Sequence, residues 1–289
     1  MYTSQRFLEG ELLVYNGIVW VVKGFQHPPG YVIAYPRYNL NTIPPSRIEK
    51  SYLYISTIYW DCLHRRLPVV PLNNTLPYMP RIDSLSREFA RLLTDYSDID
   101  PEDIYYTGSR AIGFSSGDID LVVYGATSTI RVYNTLLALR EAGVIKPLAG
   151  IHLIQEHVKH RDLSLEEYRV LRSNSVLQGV YKNTRYSIRL VPYSRGYFEC
   201  LEPAKPVGFY SGAIEILEEI SSYTTPAHYK VRLIDEDKII VMTTYRIKYT
   251  ELPRGLVLYV KNGVLEKTRK GLRLVPDHGV LKPIILELE

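Results

Sequence analysis

The sequence predicts an α+β fold: a central mixed β-sheet with helices, flanked by a β-rich N-terminal module and a β-rich C-terminal module. Three observations predict it. The first sixty or so residues run in short β-branched and aromatic stretches around an Asn-Gly pair. Helical apolar periodicity appears only between Ser84 and Asn174, and beyond Pro206 the pattern returns to short strands separated by turns. The expected divisions are residues 1–75 for the N-terminal module and linker, 76–205 for the core, and 206–289 for a small barrel or sandwich. A length of 289 residues suits about two domains.

In the N-terminal module, Glu11–Tyr15 and Ile18–Val22 flank Asn16-Gly17, the strongest short-range hairpin signal. Tyr31–Tyr35 supplies a third strand after Pro28-Pro29-Gly30. The prolines between Arg65 and Pro80, with Asn73-Asn74, predict a linker. In the core, Ser84 is positioned to cap a helix reaching Asp95, with Leu85, Phe89, Leu92 and Leu93 on one face. Ile104–Thr107 reads as a short buried strand, a short helix starts at Gly108-Ser109, and Ile119–Tyr124 is a strong strand. A helix over Ser128–Glu141 stops at Gly143, and another covers Ser164–Asn174. Leu177–Tyr181 and Arg185–Val191 are strands. The C-terminal runs include Tyr229–Ile234, Lys238–Met242 and Gly255–Val260, with turns at Arg254-Gly255 and Asn262-Gly263.

Composition excludes several classes. Hydrophobic residues make up 46% and charged residues 23%, enough apolar surface to offset the entropy of ordering, so wholesale disorder is excluded. No stretch approaches the roughly 20 apolar residues of a membrane helix. Met1–Arg6 has none of the features of a secretion signal, and the expectation is a cytoplasmic protein without membrane partners. A net charge of +4 favours anionic partners only mildly. Cys62 and Cys200 lack the CxxC spacing of zinc or redox sites and are expected as two unlinked buried thiols; a disulfide is the expectation only for a hyperthermophilic source.

Chemistry concentrates between Thr107 and Gly125. Glycine at 108 lets the backbone approach a ligand closely, free amides at a helix start attract phosphate, and Ser109 adds a hydroxyl there. Asp118 and Asp120, two apart at the start of an apolar strand, point to the same face. Two like charges on one face call for a cation, and magnesium, with its preference for oxygen ligands and phosphates, suits them.

This segment resembles the nucleotidyltransferase superfamily that includes DNA polymerase beta, poly(A) polymerases and CCA-adding enzymes. The string from Gly108-Ser109 to Asp118-Ile-Asp-Leu-Val-Val-Tyr-Gly125 is similar to an archaeal group of predicted nucleotidyltransferases. The resemblance implies a nucleotidyltransferase-like core that moves a nucleoside monophosphate from an NTP to an acceptor hydroxyl on RNA, protein or a small molecule. It makes Asp118 and Asp120 the catalytic ligands of Mg2+ or Mn2+, Gly108 and Ser109 the phosphate cradle, and Arg110 or Arg189 the group that neutralises developing charge. Nucleotide binding is thereby expected at Gly108, Ser109, Arg110 and Arg189, with NTP and RNA or another nucleic acid as partners.

The family also places a third carboxylate on a later strand. Here the corresponding position is 187 or 189, and the chain has Ser187 and Arg189. Three readings follow: another acid is recruited (Asp162, Glu166, Glu167 or Glu199), an arginine assists two acids, or the protein binds nucleotide or nucleic acid without catalysis. In the last, Arg189 pairs with Asp118 or Asp120 in place of the metal.

Elsewhere, His152, His157 and His160 with Glu156 have a spacing able to serve a transition metal, but read better as a solvated surface. Arg161, Arg169, Arg172, Lys182, Arg185, Arg189 and Arg195 concentrate positive charge, interleaved by Tyr168, Tyr181, Tyr186, Tyr193 and Tyr197. That pattern suits a phosphate-backbone surface with stacking rings, or a charged helix face beside an ordinary hairpin.

Overall fold

Alternation of apolar and polar residues builds the N-terminal sheet. The computed structural model describes residues 7–114, 117–160, 162–194 and 199–285. Strands β1 (Leu12–Tyr15) and β2 (Ile18–Val22) form the hairpin expected from Asn16-Gly17, whose positive φ angles of 50° and 70° suit the tight turn. They are followed by β3 (Tyr31–Asn39), β4 (Ser46–Arg47), β5 (Ser56–Trp60), β6 (Arg65–Pro71) and β7 (Leu76–Pro77). The sheet order is β5-β6-β3-β2-β1-β7, with β4 on β3. The stretch from Arg65 is therefore a strand rather than a linker: Leu67, Val69 and Val70 supply its apolar positions, and Pro71 ends it. Leu13, Trp20 and Val22 pack with Val32, Ala34 and Val70, while Leu12, Val19 and Tyr38 pack on Ala111 and Ile112 of the core.

The core begins with α1 (Ser84–Ser97), capped by the Asp83 carboxylate rather than by Ser84, because that side chain accepts from the amides of Leu85 and Ser86. Next come β8 (Ile104–Thr107), α2 (Gly108–Ile112), β9 (Ile119–Tyr124), α3 (Ala126–Glu141), β10 (Ile145–Lys146), α4 (Gly150–His157), α5 (Leu165–Arg172), β11 (Gln178–Tyr181) and β12 (Thr184–Val191). Their sheet runs β10-β11-β12-β9-β8. The β9–β12 pair is parallel and the others are antiparallel. Phe89 and Leu93 of α1 and Val132 and Leu136 of α3 cover Ile119 and Leu121 on one face. Val122 and Tyr124 turn to the other face and meet Leu8 and Phe25 of the N-terminal module.

The C-terminal strands are β13 (Ala204–Ser221), β14 (Ala227–Leu233), β15 (Lys238–Thr244), β16 (Val257–Thr268), β17 (Gly271–Val275) and β18 (Val280–Pro283). The long β13 pairs with both β14 and β16, so the order β13-β14-β15-β17-β16 closes on itself as a barrel rather than a sandwich. Asn262-Gly263 is not a turn. It lies within β16, where a register shift against Tyr210 and Gly212 absorbs the irregularity. The chain as a whole mixes α and β structure over several sheets, and no helix among the described residues is long and apolar enough to cross a membrane.

The sheets are tied to one another. Cys62 and Cys200, expected as separate thiols, form a disulfide between the N-terminal module and the segment entering the barrel. The pairing follows from placement: Ala204 N donates to Cys62 O at 2.9 Å, which carries the two chain segments past each other. Beside it, Glu266 of the barrel takes Arg273 at 2.7 Å and also Arg65 of β6.

Arg172, fully buried, joins the core to the barrel. It donates to Thr250 O at 3.1 Å and lies 3.7 Å from the Glu251 carboxylate, which also accepts from Val176 N. A buried cation deprived of its partner is far costlier than the pair. Glu251→Gln should therefore lower unfolding free energy by about 3 kcal/mol in urea titrations, whereas a loss below about 1 kcal/mol would show that the neutral acceptors alone satisfy Arg172.

Candidate functional site

The central strand β9 sets the site. Asp120 lies between Thr107 of β8 and Ser187 of β12, its register partners on either side. Ser187, at one of the two positions (187 and 189) where the resemblance leads one to expect a third acid, stands beside Asp120. Thr107 leads directly into Gly108, whose φ is +76°; a Cβ there would lie 2.0 Å from Asp120 Oδ2. Glycine is required at 108 for both reasons, and the Asp120 carboxylate rests against that backbone. A Cβ on Gly117 would likewise lie 2.3 Å from the Ser109 hydroxyl, so the segment entering β9 folds back on the start of α2. Ser115 and Ser116, within the motif, lie outside the described residues.

Arg110 is a strut. Its Nε donates to Gly117 O at 2.9 Å and its Nη1 to Asp83 Oδ1 at 2.9 Å, linking the motif to the cap of α1. Arg189 does not reach Asp118 or Asp120 but pairs with Glu9 of the N-terminal module. Glu9 is buried, accepts from Lys23 Nζ at 2.9 Å and from Gly24 N at 2.7 Å, and its carboxyl lies below the usual range. Burial opposes that shift, and the charges of Lys23 and Arg189 outweigh it.

Asp118 has both oxygens engaged. Arg185 Nη2 stands 2.7 Å from Oδ1, and Lys159 takes Oδ2. Lys159 also lies 2.6 Å from Glu156 Oε2, so this buried glutamate of α4 shares a cation with Asp118. Burial raises the Glu156 carboxyl, opposed by Lys159 and reinforced by Asp118. Asp120 is pushed up to about 7, chiefly by burial and then by the negative charge of Asp118, against the opposing pull of Lys159. Neither Glu156 nor Glu9 was singled out as a site residue from the sequence. The Glu156/Lys159 spacing on a helix was legible, but its distance from the motif was not; Glu9 carries no sequence signal.

The other candidate acids are committed elsewhere. Asp162 pairs with Lys248, Glu166 with Arg169 at 2.6 Å, and Glu167 completes a capping box with Ser164; Glu199 is exposed. The histidines are packed rather than solvated: His160 stacks on buried Tyr168 at 5.1 Å, and His157 Nε2 bonds Leu163 O at 2.8 Å. His160 is pushed down to about 4, first by burial and then by Lys248. In the basic, tyrosine-rich stretch the described rings are packed and the described cations paired, although Arg169 and Lys182 stay exposed. Arg172 and Tyr168, Tyr181 and Tyr186 are buried, Tyr193 stacks on Phe25 at 3.7 Å, and Lys182 pairs with Glu88 at 2.5 Å. Arg161, Arg195 and Tyr197 lie outside the described residues.

A divalent metal does not fit this donor set. Both Asp118 oxygens face cations, Asp120 holds its proton into the neutral range, and its strand neighbour is Ser187. Among the described residues no three His, Cys, Asp or Glu side chains stand together as a metal-holding group. The arrangement instead presents two cations, Lys159 and Arg185, on the two oxygens of Asp118. No protein-family model matches the chain, no curated protein matches its sequence, and no solved structure matches its fold.

Asp120 also gives a pH signature. Its folded pKa stands above the unfolded value, so the native state binds the proton more strongly and stability falls as pH rises from about 4 to about 7. Asp120→Asn removes that dependence, and in urea unfolding the variant should lose less stability than the parent between about pH 5 and about pH 8. Equal losses would mean that Asp120 is ionised throughout.

Proposed function

We propose that the chain is a nucleotide-binding protein built on a nucleotidyltransferase-like core, in which Lys159 and Arg185 stand where the resemblance leads one to expect metal ions. The observation that carries this reading is the double engagement of Asp118 by those two cations. The order of strand, Gly-Ser turn and Asp-x-Asp strand supports the nucleotidyltransferase-like core, as does the parallel neighbour strand that brings Ser187 beside Asp120. Charge supports anion binding without metal. Four acids (Glu9, Asp118, Asp120 and Glu156) face four bases (Lys23, Lys159, Arg185 and Arg189), and Asp120 carries only part of its charge near neutral pH. A phosphate that takes over Lys159 and Arg185 meets two donors already in place, against the cost of releasing the buried Asp118 carboxylate from them.

A second reading, a metal-dependent transferase, is favoured by one observation: buried Glu156 shares Lys159 with Asp118 and so supplies a third carboxylate near the aspartates. The two readings give opposite signs for one variant. In the binding protein, Asp118→Asn removes the carboxylate that competes for Lys159 and Arg185, leaving Glu156 beside them, and should tighten ATP binding in EDTA by about fivefold, the equivalent of about 1 kcal/mol. Isothermal titration reads this directly. ATP binding that requires magnesium, with label transfer from α-labelled NTP lost in Asp118→Asn, would replace this proposal with the transferase.

A further inference from the structure

Among the described residues, the cations of the stretch after the motif are paired, whereas exposed cations without an ion pair stand on the N-terminal sheet and on the barrel. Arg169 meets Glu166, Arg189 meets Glu9, Lys182 meets Glu88, and on the barrel Arg232 meets Glu215. Lys238, Lys261, Lys267, Arg269 and Lys270 of the barrel are exposed and form no ion pair among the described residues. Arg37, Arg47 and Lys50 are exposed and form no ion pair among the described residues, with Glu49 the one acid in that stretch. Between and beside them stand exposed rings: Tyr35 at 43% exposure, Tyr52 at 68% and Tyr54 at 42%.

These residues form a continuous strip. Tyr38 of β3 is the register partner of Arg47 on β4, and Ile48 N donates to Arg37 O at 3.0 Å, fastening the segment after β4 to β3. The 3-10 turn Ser51–Leu53 follows, and Leu53 N donates back to Lys50 O. At the inner end, Tyr38 packs on Phe114 with ring centroids 5.6 Å apart, directly after the helix that begins at Gly108. The strip therefore starts beside the candidate site and runs outward across β3 and β4.

We propose that this strip binds single-stranded nucleic acid, with Arg37, Arg47 and Lys50 on phosphates and Tyr52 and Tyr54 stacked on bases. Guanidinium and ammonium groups without internal partners release counterions from a phosphate backbone, and exposed aromatic faces take unpaired bases of any sequence. A duplex, whose bases are already stacked on one another, offers the rings nothing. On the barrel, Lys230 and Arg232 of β14 are held by Glu218 and Glu215, and β14 and β15 expose no aromatic ring. Strands β13 and β16 do expose Phe209 and Tyr259, with Lys261 and Lys267 nearby in sequence. The strip is preferred because its inner end reaches the candidate site. The proposal deepens the nucleotide-binding reading, because the inner end of the strip meets that site, but it rests on different side chains.

The test is fluorescence anisotropy with the full chain and labelled RNA and DNA single strands of about 20 nucleotides, each also as a duplex, between about 50 and about 200 mM salt. The parent chain should bind single strands of either sugar in preference to duplex. Arg37→Ala/Arg47→Ala/Lys50→Ala should lower the slope of log affinity against log salt by about 2, at about 0.7 for each phosphate no longer neutralised. Tyr52→Ala/Tyr54→Ala should weaken single-strand binding at least about tenfold with the slope unchanged. ATP binding by the tyrosine variant should equal that of the parent, which also confirms its fold. Parent-like affinity and slope in both variants, equal affinity for duplex, or no single-strand binding at the lowest salt would each overturn the strip. Loss of ATP binding by the parent chain itself, with oligonucleotide binding intact, would overturn the core reading and leave the strip standing.

Discussion

Four carboxylates, Glu9, Asp118, Asp120 and Glu156, each need a cation or a proton, and the rest of the arrangement is built around supplying them. An isolated buried carboxylate is prohibitively costly, so each must be paired, hydrogen-bonded or protonated. Asp118 is paired twice, Glu156 shares Lys159, and Glu9 is held by Lys23, Arg189 and a backbone amide. Asp120 takes the remaining route and rises to about 7. The cations come from three places: Lys159 just beyond α4, Arg185 and Arg189 on β12, and Lys23 beyond the hairpin of the N-terminal module. No segment of the chain satisfies the site alone, so the charges add to the apolar contacts of Leu8, Leu12, Val19 and Phe25 that set the N-terminal sheet against the core.

That dependence explains the fastening elsewhere. Thr107, one residue before Gly108, donates to Gly10 O at 2.8 Å, and Tyr124 donates to Glu9 O at 3.0 Å. Gly10 approaches Val122 so closely that a Cβ would lie 2.6 Å from Cγ2. On the far side, the Cys62–Cys200 disulfide spans a sequence separation of 138, and Glu266 bridges Arg65 and Arg273. A crosslink that closes so long a loop restricts the unfolded chain strongly, in the chain-entropy account. The N-terminal sheet is thereby held where Glu9 reaches Arg189.

The local parts of this site were legible in the sequence and the long-range parts were not. Gly108, Ser109, Asp118 and Asp120 lie within one turn and one strand, where spacing alone fixes which residues share a face. The same period-two reading singled out Ser187 and Arg189, and the parallel register does set Ser187 beside Asp120. The fate of Arg189 depended on Glu9, which is 180 residues away and has no motif around it. Glu156 looked like one member of a histidine cluster, because its partner Asp118 is visible only after α4 packs beside the sheet. In the N-terminal module prolines outweighed Leu67, Val69 and Val70, and a strand was read as a linker. Charge density was a poor guide in a similar way: the lysines and arginines after the motif read either as an anion surface or as a charged helix face, and those among the described residues are paired. The sparser Arg37, Arg47 and Lys50 form no ion pair among the described residues.

The difference between paired and unpaired cations assigns them different work. Lys159 and Arg185 are held in place by buried acids, so an anion reaching them meets donors already oriented, and the cost of ordering side chains has been met in folding. Such groups favour selectivity, since a ligand must match Asp118 in geometry to replace it. The exposed cations on β3 and β4 are neither oriented nor neutralised. They act over about a Debye length, attract any polyanion and fade with salt. Under the two proposals, a ligand drawn in by the strip and then required to compete with Asp118 would be captured by charge and chosen by shape, which would place recognition at the aspartate instead of at the surface that first attracts it.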